Sequence, residues 1–235
     1  MKDIKIGIIG AMNEEVVELA AMIEDRKTRK VAGMTFNEGK IRGVDVVVVE
    51  CGIAKVNAAM CTQILISEFG VGALINTGVA GALNEDLNIN DVVISTEAIQ
   101  YDVDASSLGD PKGTIPRMDT SVFVADDMLV DMAYQFFLEE ESSFKAYKGR
   151  VVTGDKFVAD LEEKTYLRQE FDGYCCEMEG GAIAHVAHCN AIPFVIIRAI
   201  SDKADKSAEL AYDEFVKIAA GTSKDMVLNI LAKIG

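Results

Sequence analysis

Short apolar runs alternate with stretches of helical periodicity along the whole chain, a pattern typical of strands wrapped by helices. The first run, residues 5–10, is apolar or glycine after its lysine and predicts a strand buried on both faces. Apolar residues then recur at helical spacing from Asn13 to about Asp25, with Asn13 in the capping position. The run at 44–50 contains five valines and predicts another strand.

The alternation continues to the end of the chain. Further strands are predicted at 34–37, 72–77, 91–99, 149–153, 174–177 and 194–200, and helices at 54–69, 125–140, 161–171, 182–189 and 208–233. Residues 101–124 show little periodicity and hold two of the three prolines, which is typical of a functional or interface segment. No repeat or linker interrupts the pattern. We therefore expect one α/β domain over residues 1–235, with three layers and a mixed, mostly parallel central sheet flanked by helices.

Composition narrows the class of protein. At 235 residues and 50% apolar, the chain can bury a large core, yet no apolar run approaches the roughly 20 residues of a membrane helix. The start of the chain lacks signal-peptide anatomy, and five cysteines without a Cys-x-x-Cys pair fit buried, reduced thiols. We therefore expect a cytoplasmic protein that does not bind membranes.

Charge excludes further classes. The net charge of −15 disfavours nucleic-acid binding, because phosphate contacts need a basic patch. Two histidines are too few for a convincing zinc site, so we expect neither a metal nor a cofactor. A neutral or cationic small molecule is the easier ligand to accommodate.

Acidic residues follow three of the predicted strands. Glu14 and Glu15 come after the first, Glu177 and Glu179 after the strand at 174–177, and Asp202 after the strand at 194–200. Ligands of open α/β sheets bind outside the carboxyl ends of the strands, so these acids can converge on one small molecule. Glu14 and Glu15 could instead complement a helix dipole, and the pair at 177 and 179 could be a solvated turn.

Two of these segments carry more specific chemistry. Burial at the end of an apolar strand would raise the pKa of Asp202, which would let it donate a proton near neutral pH. In an extended chain Glu177 and Glu179 share a face, and one carboxylate can accept hydrogen bonds from two ribose hydroxyls. The glycine loop at 76–82 is neither a phosphate loop nor a dinucleotide fingerprint, and alone it fits a plain tight turn.

Taken together, the segments resemble the nucleoside phosphorylase and hydrolase superfamily, and within it the 5′-methylthioadenosine/S-adenosylhomocysteine nucleosidases. The likeness covers almost the whole chain, and its parts are specific mainly through their order. They are Ile6-Gly7-Ile8-Ile9-Gly10-Ala11-Met12-x-Glu14-Glu15, Gly52-Ile53-x-Lys55-Val56-Asn57, Asn76-Thr77-Gly78-x-Ala80-Gly81, Gly154-Asp155-x-Phe157, Glu177-Met178-Glu179, Ala182-Ile183-Ala184-His185-Val186, Arg198-Ala199-Ile200-Ser201-Asp202 and Asp213-Glu214-Phe215.

The resemblance implies hydrolysis of the bond between adenine and a thio-substituted ribose, by an acid and a base on opposite faces of the sugar. It implies that Asp202 protonates adenine at N7 and that Glu15 activates water. Glu179 would hold the ribose hydroxyls, Phe157 would stack on the base, and the backbone of Val158 would read the edge of the base. The full set of implied substrate-binding residues is Met12, Val79, Ala80, Gly81, Phe157, Val158, Glu177, Met178, Glu179, Arg198, Ser201 and Tyr212.

The resemblance also implies a homodimer in which the partner's loop, residues 101–116, closes the thioalkyl pocket with Leu108 and Pro116. Two departures bear on the 5′-substituent rather than on the reaction. Val79 stands where many members carry serine, and the loop at 100–113 lacks the usual tyrosine-histidine start and the usual aromatic residues.

Other functions stay open at this point. A phosphorylase would need a cationic phosphate site near the glycine loop, and no arginine lies close to residues 78–81 in the sequence, which favours hydrolysis. A non-catalytic ligand-binding or storage relative could share the fold. Futalosine-type nucleosides and 5′-deoxyadenosine are alternative substrates.

Overall fold

Strands and helices alternate along the chain, as the hydrophobic pattern predicts. The computed structural model describes residues 4–139, 144–205 and 208–235, except for the side chains at 136, 138, 139 and 208–214. Within these residues the strands are β1 (Ile6–Gly10), β2 (Glu24–Val31), β3 (Met34–Ile41), β4 (Val44–Glu50), β5 (Ala73–Ala82), β6 (Val92–Gln100), β7 (Val122–Val124), β8 (Ala146–Thr153), β9 (Gly173–Glu177) and β10 (Phe194–Asp202). The helices are α1 (Asn13–Ala21), α2 (Lys55–Phe69), α3 (Asp127–Glu139), α4 (Leu161–Phe171), α5 (Gly180–Cys189) and α6 (Ala208–Ile234).

All ten strands belong to one mixed sheet. β1 pairs in parallel with β4 and β5, and antiparallel β3 and β2 extend the sheet beyond β4. On the other side, the pairings β5–β10, β10–β6, β6–β8, β8–β9 and β9–β5 close a ring of five strands. The mixed sheet predicted from the sequence is confirmed, with five of the ten described pairings parallel.

Helices form a layer on each side of this sheet. α1 and α3 both contact α6, α2 and α5 contact each other, and α4 packs beside β9. β1 and β10 are buried at every position, so the core lies on both faces of the central strands. None of the helices in the described part of the chain is long and apolar enough to span a membrane.

Three parts of the chain differ from the sequence-based expectation. The glycine segment at 76–82, which alone fitted a tight turn, continues β5 to Ala82 because it pairs with β10 and β9. The helix predicted from Asn13 to about Asp25 ends at Ala21, and Glu24–Val31 forms a strand that the sequence did not indicate. Seven of its eight residues are exposed, so it lacks the apolar alternation that marks a half-buried strand. The segment 101–124, expected to be without regular structure, contains a 3-10 helix at Ser106–Leu108 and the short strand β7.

The topology brings distant parts of the chain to one edge of the sheet. Ile9 of β1 pairs with Asn76 of β5, and Asn76 pairs with Ile196 of β10. These three strands run in parallel, so the residues that follow them meet at their carboxyl ends. β9 reaches the same place because Cys176 pairs with Gly81 near the end of β5.

Candidate active site

A cavity of about 400 Å³ opens at this edge of the sheet. Twelve predicted site residues line it, namely Met12, Glu15, Val79, Ala80, Gly81, Phe157, Val158, Glu177, Met178, Glu179, Ser201 and Asp202. Its volume lies within the range of small-molecule sites. Glu15 and Asp202, which come from opposite ends of the chain, therefore face the same space.

Glu15 is held at the start of α1, where free backbone amides surround it. One oxygen, Oε2, accepts hydrogen bonds from the amides of Ala11 at 2.6 Å and Met12 at 3.1 Å. The other, Oε1, accepts from the amide of Val79 at 3.1 Å. Burial raises the pKa of Glu15 above its ordinary value, although Arg198 and these amides oppose the shift. The site thus fixes the position of a carboxylate whose basicity is increased.

Asp202 ends β10 and is 2% exposed. Oδ2 accepts a hydrogen bond from the hydroxyl of Ser201 at 2.9 Å, and Oδ1 accepts from the amide of Ala204 at 2.8 Å. Burial raises the pKa of Asp202, and those two bonds oppose the shift. A carboxyl group in this environment can hold a proton above its ordinary pKa and deliver it into the cavity.

Glu179 lies just before α5, where its Oε1 accepts a hydrogen bond from the amide of Ala54 at 2.8 Å. Burial, reinforced by the charge of Glu177, raises the pKa of Glu179 to about 8. Among the residues that the structure describes, Oε2 accepts no hydrogen bond, and Arg198 Nη2 lies 3.8 Å from it as an ion-pair partner. Glu179 therefore keeps capacity to accept hydrogen bonds from a ligand.

Glu177, which the family resemblance implies binds substrate, is extensively hydrogen-bonded within the protein. Its Oε1 accepts a hydrogen bond from the hydroxyl of Thr153, and its Oε2 accepts from the amides of Glu179 and Gly180 and from Arg198. These bonds satisfy the start of α5. Glu177 borders the cavity, but both of its oxygens are used by the protein itself.

Arg198 lies behind the cavity rather than in its wall. In the register of β5 and β10 it faces Gly78, so the expectation that no arginine approaches residues 78–81 is wrong in space. The reason is that strand pairing joins positions 120 residues apart, which spacing along the sequence does not reveal. The guanidinium is 1% exposed, pairs with Glu177 and donates to Asn76 Oδ1 at 2.6 Å.

The charge balance around this guanidinium favours its cationic form. Burial by itself would lower the pKa of Arg198, but Glu177, Glu179 and Glu15 together raise it. Arg198 therefore serves the carboxylates and presents no free cation to a phosphate group.

Besides Arg198, the predicted residues Leu108 and Pro116 do not line the cavity of this chain. Leu108 is 82% exposed, and Pro116 is also exposed. Both were expected to act on the partner's pocket rather than on their own. Tyr212 lies outside the residues whose side chains the structure describes.

Four lining residues were absent from the predicted set: Ala11, Ile53, Lys156 and Cys176. Ile53, Lys156 and Ala11 lie inside segments that carry the family resemblance, and Cys176 directly precedes Glu177. Their position next to assigned residues could have identified them as lining residues from the sequence. Among the described residues, no group of three or more His, Cys, Asp or Glu side chains could hold a metal ion.

Comparison with known proteins agrees with this geometry. Residues 5–232 match the phosphorylase superfamily. A 5′-methylthioadenosine/S-adenosylhomocysteine nucleosidase of Halalkalibacterium halodurans is 41% identical over 232 residues, covering 98% of this chain and 99% of the relative. A nucleosidase of the same name from Colwellia psychrerythraea 34H, solved in complex with adenine, is 38% identical with a TM-score of 0.94, covering 98% of this chain and 96% of that one.

A futalosine hydrolase of Helicobacter pylori strain 26695 is also similar, at 32% identity and a TM-score of 0.92, with 97% of each chain covered. The chain belongs to the phosphorylase superfamily and, within it, to the 5′-methylthioadenosine/S-adenosylhomocysteine nucleosidases.

Proposed function

We propose that this protein hydrolyses the N-glycosidic bond of 5′-methylthioadenosine and S-adenosylhomocysteine, and also of 5′-deoxyadenosine, to adenine and the corresponding ribose. The observation that carries the proposal is the placement of Glu15 and Asp202 in the wall of one cavity. An acid and a base that flank a glycosidic bond are what inverting hydrolysis needs. The names of the relatives described above support this substrate class.

Each step follows from a side chain's surroundings. Asp202, whose pKa is raised by burial, acts in its protonated form and gives its proton to N7 of adenine, which leaves as a neutral base. Ser201 orients Asp202 through the 2.9 Å hydrogen bond to Oδ2. Glu15, fixed by three backbone amides, takes a proton from water on the other face of the sugar. The water oxygen then bonds to the ribose carbon that held adenine, which has oxocarbenium character in the transition state.

The remaining lining residues hold the substrate. Glu179 accepts hydrogen bonds from the ribose hydroxyls through its available oxygen, and Met178 packs against the sugar. Phe157, which is 43% exposed at the mouth of the cavity, stacks on adenine, while the backbone of Val158 reads the edge of the base. Met12 lines the cavity and faces the alkylthio group, and the family resemblance gives Tyr212 the same role.

Several features argue against a phosphorylase. A phosphate would need a cation that is not already paired, and Arg198 is held by Glu177 and Asn76. Glu15 would also repel phosphate from the face that water must attack. Adenine release is therefore independent of phosphate.

The similarity to a futalosine hydrolase gives a second candidate substrate class, nucleosides whose 5′-substituent is larger than methylthio. Product chromatography separates the candidates. Methylthioadenosine, adenosylhomocysteine, 5′-deoxyadenosine, futalosine and inosine are incubated with the protein, with and without phosphate. We expect adenine and the free 5-substituted sugar from the first three, with no 1-phosphate of that sugar. Preferential cleavage of futalosine, or a requirement for phosphate, would overturn the proposal.

The variant D202N distinguishes a catalytic protein from a non-catalytic relative that only binds the ligand. Loss of general acid catalysis is expected to lower kcat by about 10²- to 10⁴-fold while methylthioadenosine still binds. Unchanged turnover would contradict the assignment of Asp202.

We also propose a single domain over residues 1–235, a homodimer and a cytoplasmic location. One sheet that takes strands from both halves of the chain supports the single domain. Exposed apolar residues near the cavity, such as Ile53 and Val56, support a partner subunit. Five free cysteines, four of them buried, support a reducing compartment.

A further inference from the structure

Three loops from distant parts of the chain meet beside the cavity in a closed set of polar contacts. The amide of Lys55 donates to Asp155 Oδ1 at 2.8 Å, and the amide of Asp155 donates to Asp102 Oδ2 at 3.0 Å. Lys55 Nζ completes the set by donating to Asp102 Oδ1 at 2.5 Å. The contacts join the start of α2, the loop after β6 and the loop after β8.

The contact with Asp155 provides a hydrogen-bond acceptor for the start of α2, which has no side-chain cap of its own. Ala54 occupies the capping position, and its side chain cannot accept a hydrogen bond from the first turn. Asp155, 100 residues away in sequence, accepts from the first amide of the helix instead. A carboxylate at a helix N-terminus is also favoured by the helix dipole. A cap from so distant a segment ties two loops together as well as stabilising the helix.

Ala54 has a strained backbone and lies next to the cavity. Its φ of +81° lies in the region that favours glycine, and such backbone strain persists only where the surroundings fix it. The amide of Ala54 donates to Glu179, and the preceding residue, Ile53, lines the cavity. The contact between Lys55 and Asp155 therefore lies one residue from the hydrogen bond that orients the ribose-binding carboxylate.

The ion pair within the set is more shielded than a typical surface ion pair, while Asp155 is exposed. The side chains of Lys55 and Asp102 are 17% and 30% exposed, less than those of an ordinary surface ion pair such as Lys148–Asp131 at 36% and 65%.

We propose that Lys55, Asp102 and Asp155 form a clamp that positions Glu179, through the strained Ala54, toward the ribose hydroxyls. The inference rests on the proposed function for its substrate, and all three are positioning residues. Loss of the clamp should weaken the grip on the ribose more than it affects the stacking of the base.

Asp155 variants test the clamp by activity. In D155A, kcat/KM for methylthioadenosine should fall about 10- to 100-fold, because a small displacement of a positioned group has a large effect on rate. D155N keeps an oxygen that accepts the Lys55 amide and should stay within about threefold of wild type. With a 2′,3′-dideoxy analogue, which offers Glu179 no hydroxyl, D155A should lose far less than with methylthioadenosine. The surface variant D131N is the matched control and should behave as wild type with both nucleosides.

Amide hydrogen exchange tests the clamp without turnover. D155A should accelerate exchange of the Ala54 and Lys55 amides about tenfold or more, whereas D131N should not. Equal losses of kcat/KM with both nucleosides, or unchanged exchange at those amides, would overturn the clamp. A wild-type protein that releases no adenine would overturn the proposed function instead, and exchange would still decide whether the clamp exists.

Discussion

Glu179 lies in surroundings that favour the protonated form of a carboxylic acid. It is 6% exposed and adjacent to Glu177, and these surroundings raise its pKa from an ordinary 4.5 to about 8. Between these two pH values the folded protein keeps a proton that the unfolded chain has already lost. By linkage, this group makes the folded state less stable as pH rises through that range.

Substitution of Glu179 tests the predicted direction of the change in stability with pH. E179Q removes the titration but keeps an oxygen that can accept from the Ala54 amide. Wild-type protein should therefore lose more stability than E179Q as pH rises from about 5 to 8. Thermal or urea unfolding across that range measures the difference, and E14Q, which changes an exposed glutamate, is expected to follow wild type. Parallel curves for wild type and E179Q would show that Glu179 titrates near its ordinary pKa in the folded protein.

At the scale of elements, the sequence indicated the strands that build the site and missed two that do not, β2 and β7. β1, β5 and β10 each contain a buried run rich in apolar residues, and such runs mark strands clearly. The carboxyl ends of β1 and β10 could therefore be located together with Glu15 and Asp202, whereas β5 continues five residues beyond its predicted end at Thr77. β2 could not be found because hydrogen bonds to β3, rather than buried side chains, hold it in place. Its exposed charges also protect an edge strand from pairing with another chain.

Relations between elements were the less predictable part of the site. Sequence spacing indicated that acids would meet at one edge, but it could not show that Arg198 faces Gly78 or that Glu177 uses both oxygens within the protein. Register and side-chain rotamers decide these features, and both depend on the assembled sheet. Similarly, the contacts of Asp155 with α2 arise from loops that only the fold brings together.

The pairing of β5 with β10, which places Gly78 beside Arg198, gives a prediction for this glycine. A Cβ at Gly78 would lie 2.6 Å from Glu15 Oε1 and closer still to Arg198 Nη1, and both side chains are buried. G78A should therefore lower the free energy of unfolding by about 1–3 kcal/mol, as overpacking does, and reduce adenine release.

The control for this prediction is G221A within α6, where a Cβ would meet nothing within 4 Å. Replacing a helical glycine by alanine should leave stability unchanged or raise it by up to about 1 kcal/mol. Urea unfolding of both variants measures the contrast. If G78A were as stable as G221A, the close approach of Glu15 and Arg198 to β5 would be wrong.

At the scale of the whole molecule, the charge distribution matches the kind of ligand proposed. The chain carries 38 acidic and 23 basic residues, and the cavity itself is lined by Glu15, Glu177, Glu179 and Asp202. One buried cation, Arg198, stabilises three of these carboxylates. A neutral nucleoside enters such a field without penalty, whereas a phosphate ion would be repelled.

The distribution of exposed apolar residues predicts how two subunits associate. Val56 and Met60 lie one turn apart on α2, 76% and 38% exposed, next to the cavity residue Ile53. V56E should convert a dimer to monomers in sedimentation velocity, because a charge buried in an apolar interface is costly. V17E, which changes the face of α1 on the opposite side of the sheet, should leave the dimer intact.

The loss of the partner's loop in the V56E monomer should raise KM for methylthioadenosine more than for 5′-deoxyadenosine, which has no thioalkyl group to enclose. A dimeric V56E protein would place the interface elsewhere, and equal changes in KM would show that the partner does not complete the pocket.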